Sequence, residues 1–206
     1  MRDLVSQLKR ERIVSAAVDL FYRQGYTRTT LDEVAQALGM TKPFVYQYFA
    51  SKNDLLAEIC SRAIRHANET LERLLSQRGT PSEKLRAIVR DFIVSVLENQ
   101  ANAVIYNREE TELAPKDRET IIQLRRDFDH QIVALLEEGI AKGEFAIRDT
   151  RITSFAIASL VGWAPVWFRT GGRLTKEEVA EHMASLALTM VGGIAPGGRA
   201  PEGRRP

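Results

Sequence analysis

The residues with the most distinctive chemistry in this sequence lie between Thr41 and Phe49. Val45 and Phe49 are four residues apart, which would give a helix here one buried edge. The other face would then carry a lysine, a proline, two aromatic rings and an amide: Lys42, Pro43, Phe44, Tyr46 and Gln47. Such groups can contact the phosphates, base edges and thymine methyl groups of a DNA major groove. The segment therefore indicates a DNA-reading helix; the alternative is an ordinary helical hairpin whose aromatic residues are core.

Two further helices would position this element. Thr30 and Glu33 have the spacing of a capping box, which predicts a short helix from Leu31, and Gly39 can supply the positive φ that ends it. Thr41 is the N-cap candidate for the DNA-reading helix. Upstream, apolar residues recur at helical spacing: Ile13, Ala16, Ala17, Leu20 and Phe21. Two short helices joined by a glycine-containing turn form a helix-turn-helix, and with the first helix they make a core that is marginal alone.

Composition narrows the class of protein. The 206 residues, 44% of them hydrophobic and 27% charged, are ordinary for a globular protein. The net charge is only +2, but residues 1–52 hold eight Lys or Arg against five Asp or Glu, a net charge of +3. The basic excess therefore lies in the helix-turn-helix segment, as phosphate binding requires. Cys60 is the only cysteine, so we expect neither a disulfide framework nor a cysteine-based zinc site, and we expect no cofactor.

Two features of the sequence bear on where we expect the protein to lie. Its N-terminus lacks the apolar run of a signal peptide. The most apolar stretch, residues 155–168, is too short to span a bilayer and contains Gly162 and Pro165. We therefore expect a cytoplasmic protein that does not associate with a membrane.

The rest of the chain predicts six more helices and no strand, giving an all-α fold of nine helices. Its clearest helix start is Thr80-Pro81-Ser82-Glu83, which follows Gly79. We expect a helix-turn-helix DNA-binding domain over residues 1–52 and a ligand-binding and dimerisation domain over residues 53–194. Residues 195–206 are rich in Pro, Gly and Arg, which predicts a disordered tail.

A dense set of short motifs spans roughly residues 8–60: Gly25-Tyr26, Thr29-Thr30, Val34-Ala35, Leu38-Gly39-Met40-Thr41-Lys42, Val45-Tyr46, Tyr48-Phe49 and Ser51-Lys52-Asn53-Asp54-Leu55-Leu56. Together they resemble the N-terminal signature of TetR/AcrR-type transcriptional repressors, and the nine-helix count agrees over the rest of the chain. The resemblance implies a TetR-like fold and a homodimer. It also implies a palindromic double-stranded DNA operator and a small-molecule effector that binds in the C-terminal body and releases the DNA.

The resemblance also assigns DNA contacts by position. The residues that would contact the phosphate backbone, or meet the DNA from the N-terminus of a helix, are Thr30, Thr41, Lys42, Tyr46, Tyr48 and Lys52. The residues left for base readout are Pro43, Phe44 and Gln47. Many members have a small residue after the lysine, where this chain has Pro43 and then Phe44. The base preference of other members is therefore not carried over.

Helix eight is predicted to run from a cap at Asp149 or Thr150 through Phe168, and helix nine from the capping box at Thr175 to about Val191. Helix eight is apolar nearly all round, which predicts burial on every side. We expect its small residues to face a partner chain: Ala158, Val161 and Ala164. Helix nine would add a similar set: Ala184, Ala187, Leu188 and Val191. Two such helices from each subunit would form an intersubunit four-helix bundle, so helices eight and nine are predicted to make the homodimer. The alternative is a purely intramolecular core.

Effector-binding residues are predicted from helical periodicity and from the resemblance: Phe92, Val96, Tyr106, Arg108, Leu124, Arg125, Phe128, Ser159 and Trp163. Residues 106–126 and 138–145 and the segment Gly171–Thr175 are similar to members that respond to acyl-CoA esters. An acyl-CoA needs an apolar slot for its acyl group and cations for its phosphates, although arginines on helices are usually solvated or paired. The alternative effector is another apolar or aromatic small molecule, as in multidrug-type regulators.

Two other classes of protein are disfavoured. An all-helical enzyme is disfavoured because His66, His130 and His182 lie in no recognisable nucleophile or zinc motif. Asp127 and His130 could share a metal ion, but a surface ion pair is the better interpretation. A helical interaction module without DNA binding would leave the basic N-terminal segment and the aromatic face unexplained.

Overall fold

The computed structural model describes residues 2–192, and the predicted disordered tail lies outside the described residues. The helices are α1 (Arg2–Gln24), α2 (Leu31–Ala37), α3 (Lys42–Tyr46), α4 (Lys52–Leu75), α5 (Pro81–Glu98), α6 (Gln100–Glu109), α7 (Pro115–Ala141), α8 (Thr150–Trp167) and α9 (Lys176–Met190). A single 3-10 turn, Glu110–Glu112, joins α6 to α7. Over residues 2–192 the fold is all-α with nine helices and no strand, which confirms the predicted fold class.

The predicted capping signals form as hydrogen bonds. At α2, the Glu33 amide donates to Thr30 Oγ1 at 3.2 Å and the Thr30 amide donates to the Glu33 carboxylate at 2.7 Å. An equivalent capping box starts α9, where Thr175 and Glu178 exchange the same pair of bonds. Each box satisfies two amide groups that would otherwise lack a partner at a helix start.

The chain packs as two compact units. The N-terminal unit contains the residues up to His66 together with Asn99–Arg125, and the C-terminal unit contains Ala67–Glu98 and the residues from Arg126 onward. Helices α4 and α7 each begin in the N-terminal unit and end in the C-terminal unit. These units are defined by packing, so the division into functional domains at residue 52 stays a prediction.

The core of the N-terminal unit is larger than the three predicted helices. Fully buried side chains of α1, α2 and α3 pack with the start of α4. The α6–α7 segment adds Ile105, Leu113 and Ile121 to the same cluster. A three-helix core of about fifty residues is marginal by itself, and these added residues enlarge it.

The C-terminal unit is built around α5, which packs against α9 and α8. Its buried residues include three alanines of α9, at positions 180, 184 and 187, and Ala164 of α8. The prediction that Ala164, Ala184, Ala187, Leu188 and Val191 face a partner chain is therefore wrong. The three alanines among them are instead buried within the unit, where small side chains let packed helices approach closely.

The end of α7 shows one backbone position that only glycine fits. A Cβ at Gly139 would lie 2.0 Å from the ring of Phe145, which is buried over it.

Among the described residues, no helix combines the length and apolar character needed to cross a membrane.

Candidate nucleic-acid interface

The turn between α1 and α2 is fixed by local hydrogen bonds. Gly25 ends α1 with a φ of 86°, a conformation that glycine adopts without strain. The buried Thr29 donates its hydroxyl to the Gly25 carbonyl at 2.8 Å, and the Gln24 amide donates to that hydroxyl at 3.3 Å. The N-cap Thr30 follows directly, so this turn sets where α2 begins.

Helix α3 has only five residues and buries a single one, Val45. Phe49, just beyond its end, is also buried, as the sequence predicts. The side chains left exposed are Thr41, Lys42, Pro43, Tyr46 and Gln47. The hydroxyl of Thr41 makes no capping bond. This arrangement leaves polar and aromatic groups facing solvent on a helix whose other edge is anchored in the core.

Two predicted DNA contacts are less accessible than the others. Phe44 and Tyr48 are half-buried and pack against the core of the N-terminal unit, with their ring centroids 5.4 Å apart. The ammonium of Lys9 lies 5.7 Å from the centre of the Phe44 ring. The prediction that Phe44 points away from the core is therefore wrong in part, because only a portion of its ring reaches solvent.

Lys42 forms an ion pair with Asp32 of α2. The hydrogen bond to Asp32 and the charge of that carboxylate raise the pKa of Lys42. The Lys42 side chain is exposed and that of Asp32 is half-buried, so water and salt still screen the pair. The pair places a carboxylate beside the cation that was predicted to meet DNA.

Lys52 holds the turn that precedes α2. Its ammonium donates to the carbonyl of Tyr26 at 2.8 Å and to the carbonyl of Thr27 at 3.2 Å, and it lies 4.2 Å from the centre of the Tyr26 ring. An ammonium has three N–H donors, so two are used within the chain. A phosphate contact by Lys52 stays a prediction.

Other basic residues divide into structural and exposed ones. Arg10 donates to the Tyr48 carbonyl at 3.3 Å and to Glu58 at 2.9 Å, and its guanidinium lies 4.3 Å from the centre of the Phe49 ring. Burial alone would raise the pKa of Glu58, but the hydrogen bonds from Arg10 and Arg62 lower it. Arg28 is exposed two residues before Thr30. Sequence reasoning counted its charge but missed it as a candidate DNA contact.

The predicted effector-binding residues fall into both units. In the N-terminal unit, Arg125 donates through Nε to the hydroxyl of Tyr106 at 3.0 Å and through Nη2 to Glu110 at 2.7 Å. Burial opposes the charge on Arg125, but these bonds outweigh it and raise its pKa, while burial raises the pKa of Tyr106. Leu124 is half-buried and Arg108 is exposed. The Arg125 charge is thus already matched by a carboxylate.

In the C-terminal unit, the structure brings Phe92 and Phe128 together, with ring centroids 5.3 Å apart. Val96 is half-buried beside the same core. Ser159 and Trp163 lie instead on an exposed face of α8. The Ser159 hydroxyl donates to the Phe155 carbonyl one turn earlier, at 2.7 Å.

That exposed face of α8 is almost entirely apolar. Phe155 is 57% exposed and Trp163 is 62% exposed. We call the exposed apolar residues of α8 and α9 the apolar stripe: Ile152, Phe155, Trp163, Val166, Trp167, Leu186 and Met190. A helix that is apolar all round was predicted to be buried all round, yet this chain covers only one side of α8. Exposed large apolar residues grouped in this way are typical of an interaction site.

Among residues 2–192, no three His, Cys, Asp or Glu side chains come together in a group that could hold a metal ion.

Two family models match this chain. One, described as bacterial regulatory proteins of the tetR family, matches residues 13–59. The other, described as the tetracyclin repressor-like C-terminal domain, matches residues 78–191, more than half of the chain. The chain belongs to the TetR family. It is therefore a DNA-binding transcriptional regulator and not an enzyme, and the predicted family is confirmed.

Individual relatives agree with this assignment. The transcriptional repressor KstR2 of Mycolicibacterium smegmatis is 24% identical over 199 residues, which cover 90% of each chain. The structure of the TetR-family regulator PfmR from Thermus thermophilus is 30% identical, with a TM-score of 0.80 over 89% of this chain and 99% of that one. The structure of AibR in complex with isovaleryl coenzyme A and operator DNA is 26% identical, with a TM-score of 0.79 over 86% of this chain and 97% of that one.

Proposed function

We propose that this TetR-family protein is a cytoplasmic, homodimeric repressor that reads a palindromic operator with α3 and releases it when an acyl-CoA ester binds. The observation that carries the DNA-reading role is the anchoring of α3. The helix buries Val45, and four polar or aromatic side chains and one proline lie in solvent on this short element and its caps. An exposed recognition helix held by its opposite edge is how a helix-turn-helix enters a major groove.

The exposed side chains suit different parts of the DNA. Gln47 carries the amide that can bond two atoms of an adenine edge, and Pro43 can contact a thymine methyl group. Thr41, Lys42 and Tyr46 offer hydroxyl and ammonium donors for phosphates. For Lys42 this requires exchanging Asp32 for a phosphate. From the flanking elements, Thr30, Tyr48 and Lys52 would add contacts to the DNA phosphate backbone. Phe44 would contact the bases with the exposed part of its ring.

The DNA-reading role is tested by selecting duplexes from randomised DNA with the full-length protein. With the selected duplex, Lys42→Ala should reduce the salt dependence of binding by about one phosphate contact for each protomer. Gln47→Ala should instead relax selection at one base position of each half-site, at a cost of about 1–3 kcal/mol for that base pair. Lys116→Ala, at an exposed lysine early in α7, is the matched control and should change neither. Unchanged binding and salt dependence in both test variants would refute the role of α3.

The apolar stripe supports homodimer formation through α8 and α9. Its α8 residues lie on one side of the helix: Ile152 and Phe155 are three residues apart, and Trp163, Val166 and Trp167 follow about two turns later on the same side. Covering such a face with the same face of a second copy gives a closed two-fold dimer. That symmetry in turn matches a palindromic operator.

The class of effector is proposed from the likeness to AibR, whose structure contains isovaleryl coenzyme A. The aromatic pair Phe92 and Phe128 of the C-terminal unit could accept a short branched acyl group. Arg125 is engaged by Glu110 and Tyr106, so an anionic effector would have to compete with that carboxylate for it. Because binding energies are linked, an effector that weakens DNA binding must itself bind less tightly to the DNA-bound protein, by the same factor.

The effector is tested by titrating the protein–duplex complex with isovaleryl-CoA, with free isovalerate and with CoA itself. We expect isovaleryl-CoA alone to release the duplex, and Phe128→Ala to raise the concentration required. Release by an aromatic drug or a free acid, with no response to any CoA ester, would reject this class of effector and favour the multidrug-type alternative.

A further inference from the structure

Asn53, the second residue of α4, makes an unusual set of contacts. Its side-chain amide donates to the phenol oxygen of Tyr26 at 3.2 Å and to the carbonyl of Glu112 at 2.7 Å. Its side-chain oxygen accepts from the amide of Ala114 at 3.0 Å. All four residues belong to the N-terminal unit. One side chain thus fastens the turn before α2 and the connection between α6 and α7 to the start of α4.

The connection between α6 and α7 is itself braced. Arg118 donates to the carbonyls of Thr111 and Leu113, and the Leu113 side chain is buried in the core of the N-terminal unit. Arg125 binds Glu110 at its start. A segment held at this many points moves as one piece, so a displacement of α6 or α7 would reach Asn53 through the atoms it binds.

The Tyr26 side of the contact is equally constrained. Tyr26 is buried, and its ring packs edge-on against Phe21 at 5.2 Å between centroids. Lys52 binds its carbonyl and lies over its ring. Because Tyr26 lies four residues before the N-cap Thr30, its position sets the start of the helix-turn-helix.

We infer that Asn53 is a coupling residue: it joins the α6–α7 connection to the DNA-reading helices, so that DNA binding and the conformation of residues 111–116 influence each other. This inference rests on the DNA-reading role of α3. It does not depend on the identity of the effector. The reciprocity follows from linkage, because any contact that changes with DNA binding must also change DNA affinity.

The experiment is hydrogen exchange of the full-length protein with and without the selected duplex. In the unsubstituted protein, DNA should slow exchange in residues 26–47 and also in residues 111–116. In Asn53→Ala, the slowing should persist in 26–47 and disappear in 111–116, with affinity for the duplex lowered about three- to tenfold. Tyr26→Phe removes only the phenol oxygen that Asn53 binds, so DNA should slow hydrogen exchange in residues 111–116 less than in the unsubstituted protein. This variant therefore tests the inference even if Asn53→Ala folds poorly.

Arg118→Ala provides the control for a purely local effect. It should speed exchange in residues 111–113 without DNA, yet leave the slowing caused by DNA at 114–116, since Asn53 and its partners are intact. The same DNA-induced slowing at 111–116 in Asn53→Ala as in the unsubstituted protein would overturn the inference. If DNA slows exchange at 26–47 alone in the unsubstituted protein, the inference fails and the DNA-reading role stands. If DNA slows neither region, both fail.

Discussion

The exposed faces of α3 and α8 differ in the kind of partner they fit. On α3, a lysine, a threonine, a tyrosine and an amide surround one buried valine. On α8, the exposed side chains are chiefly tryptophan, phenylalanine and isoleucine. Polar donors at modest density suit a hydrated, charged partner such as DNA, whereas a continuous apolar face suits a dry contact with another protein surface. We propose that the two faces divide recognition and assembly between the two units.

The largest effect should come from placing a charge in the apolar stripe. Trp163→Glu would put a carboxylate where a 62% exposed indole is proposed to meet the partner chain. We expect the dimer dissociation constant to rise about a hundredfold or more, measured by sedimentation equilibrium. Tyr22→Glu changes an exposed aromatic residue of α1 and should leave the dimer intact. Equal masses in solution for Trp163→Glu and the unsubstituted protein would show that α8 is not the assembly face.

Two glycine substitutions separate packing within the chain from packing against a partner. Gly139→Ala should lower the free energy of unfolding by about 1–3 kcal/mol, because its Cβ would overlap the Phe145 ring. Gly162→Ala meets nothing within 4 Å inside the chain. In the monomeric Trp163→Glu background it should therefore stabilise α8 by up to about 1 kcal/mol, through helix propensity. Denaturant unfolding measures the change in the free energy of unfolding for both variants. A neutral Gly139→Ala would contradict the packing of Phe145.

Two of the capping boxes, at Thr30 and at Thr175, form a matched pair, one in each unit. Thr30→Ala and Thr175→Ala each remove the side-chain acceptor at a helix start and should each cost about 1 kcal/mol of stability. Only Thr30→Ala should also weaken operator binding, by a few-fold, because Thr30 is proposed to contact a phosphate. Thermal unfolding measures the stability of both variants, and gel shifts measure their affinity for the operator. An equal loss of DNA affinity in the two would remove Thr30 from the interface.

The same boxes predict a pH dependence. Hydrogen bonds from the Thr30 amide and hydroxyl lower the pKa of Glu33, and those from Thr175 lower the pKa of Glu178. A carboxylate whose folded pKa is depressed stabilises the protein fully above its ordinary pKa of 4.5, and this contribution is lost as the pH falls through the folded value. Glu33→Gln and Glu178→Gln should each flatten the acid limb of a plot of stability against pH. An unchanged limb in both would contradict the cap assignment.

The smallest expected effect concerns Asp32. Asp32→Asn removes the carboxylate beside Lys42 and should raise affinity for unselected duplex DNA about two- to fivefold, with a steeper salt dependence. Affinity for the selected duplex should rise less, because base contacts are unchanged. Fluorescence anisotropy on the two duplexes measures the difference. Lower affinity for unselected DNA would show that Asp32 positions Lys42 rather than neutralising it.

The helix-turn-helix was predictable because its signals are local. The capping box at Thr30, the glycine stop and the buried pair Val45 and Phe49 lie within twenty residues, and each is confirmed. What the sequence missed there depends on longer contacts. Tertiary packing produces three features that the sequence did not predict: the pairing of Lys42 with Asp32, the binding of Lys52 to the turn before α2, and the half-burial of Phe44.

The C-terminal unit was less predictable because nearly every residue of α8 is apolar. Periodicity then cannot choose a face, and the rule that small residues meet a partner chain placed Ala164 on the wrong side. Among the effector candidates, which periodicity placed inside, Phe92 and Phe128 pack together, but Trp163 is exposed. The charge of Arg125 could be read from the sequence, but its engagement by Glu110 could not.

The most direct test titrates the selected palindromic duplex, and a duplex carrying one half-site, with the unsubstituted protein and with Trp163→Glu. We expect two chains to bind the palindrome, and the variant to bind it at least about tenfold more weakly while both proteins bind the half-site alike. That result would show that α3 reads DNA and that α8 pairs the two readers. Equal binding of the palindrome by both proteins, or no selected sequence at all, would contradict the account.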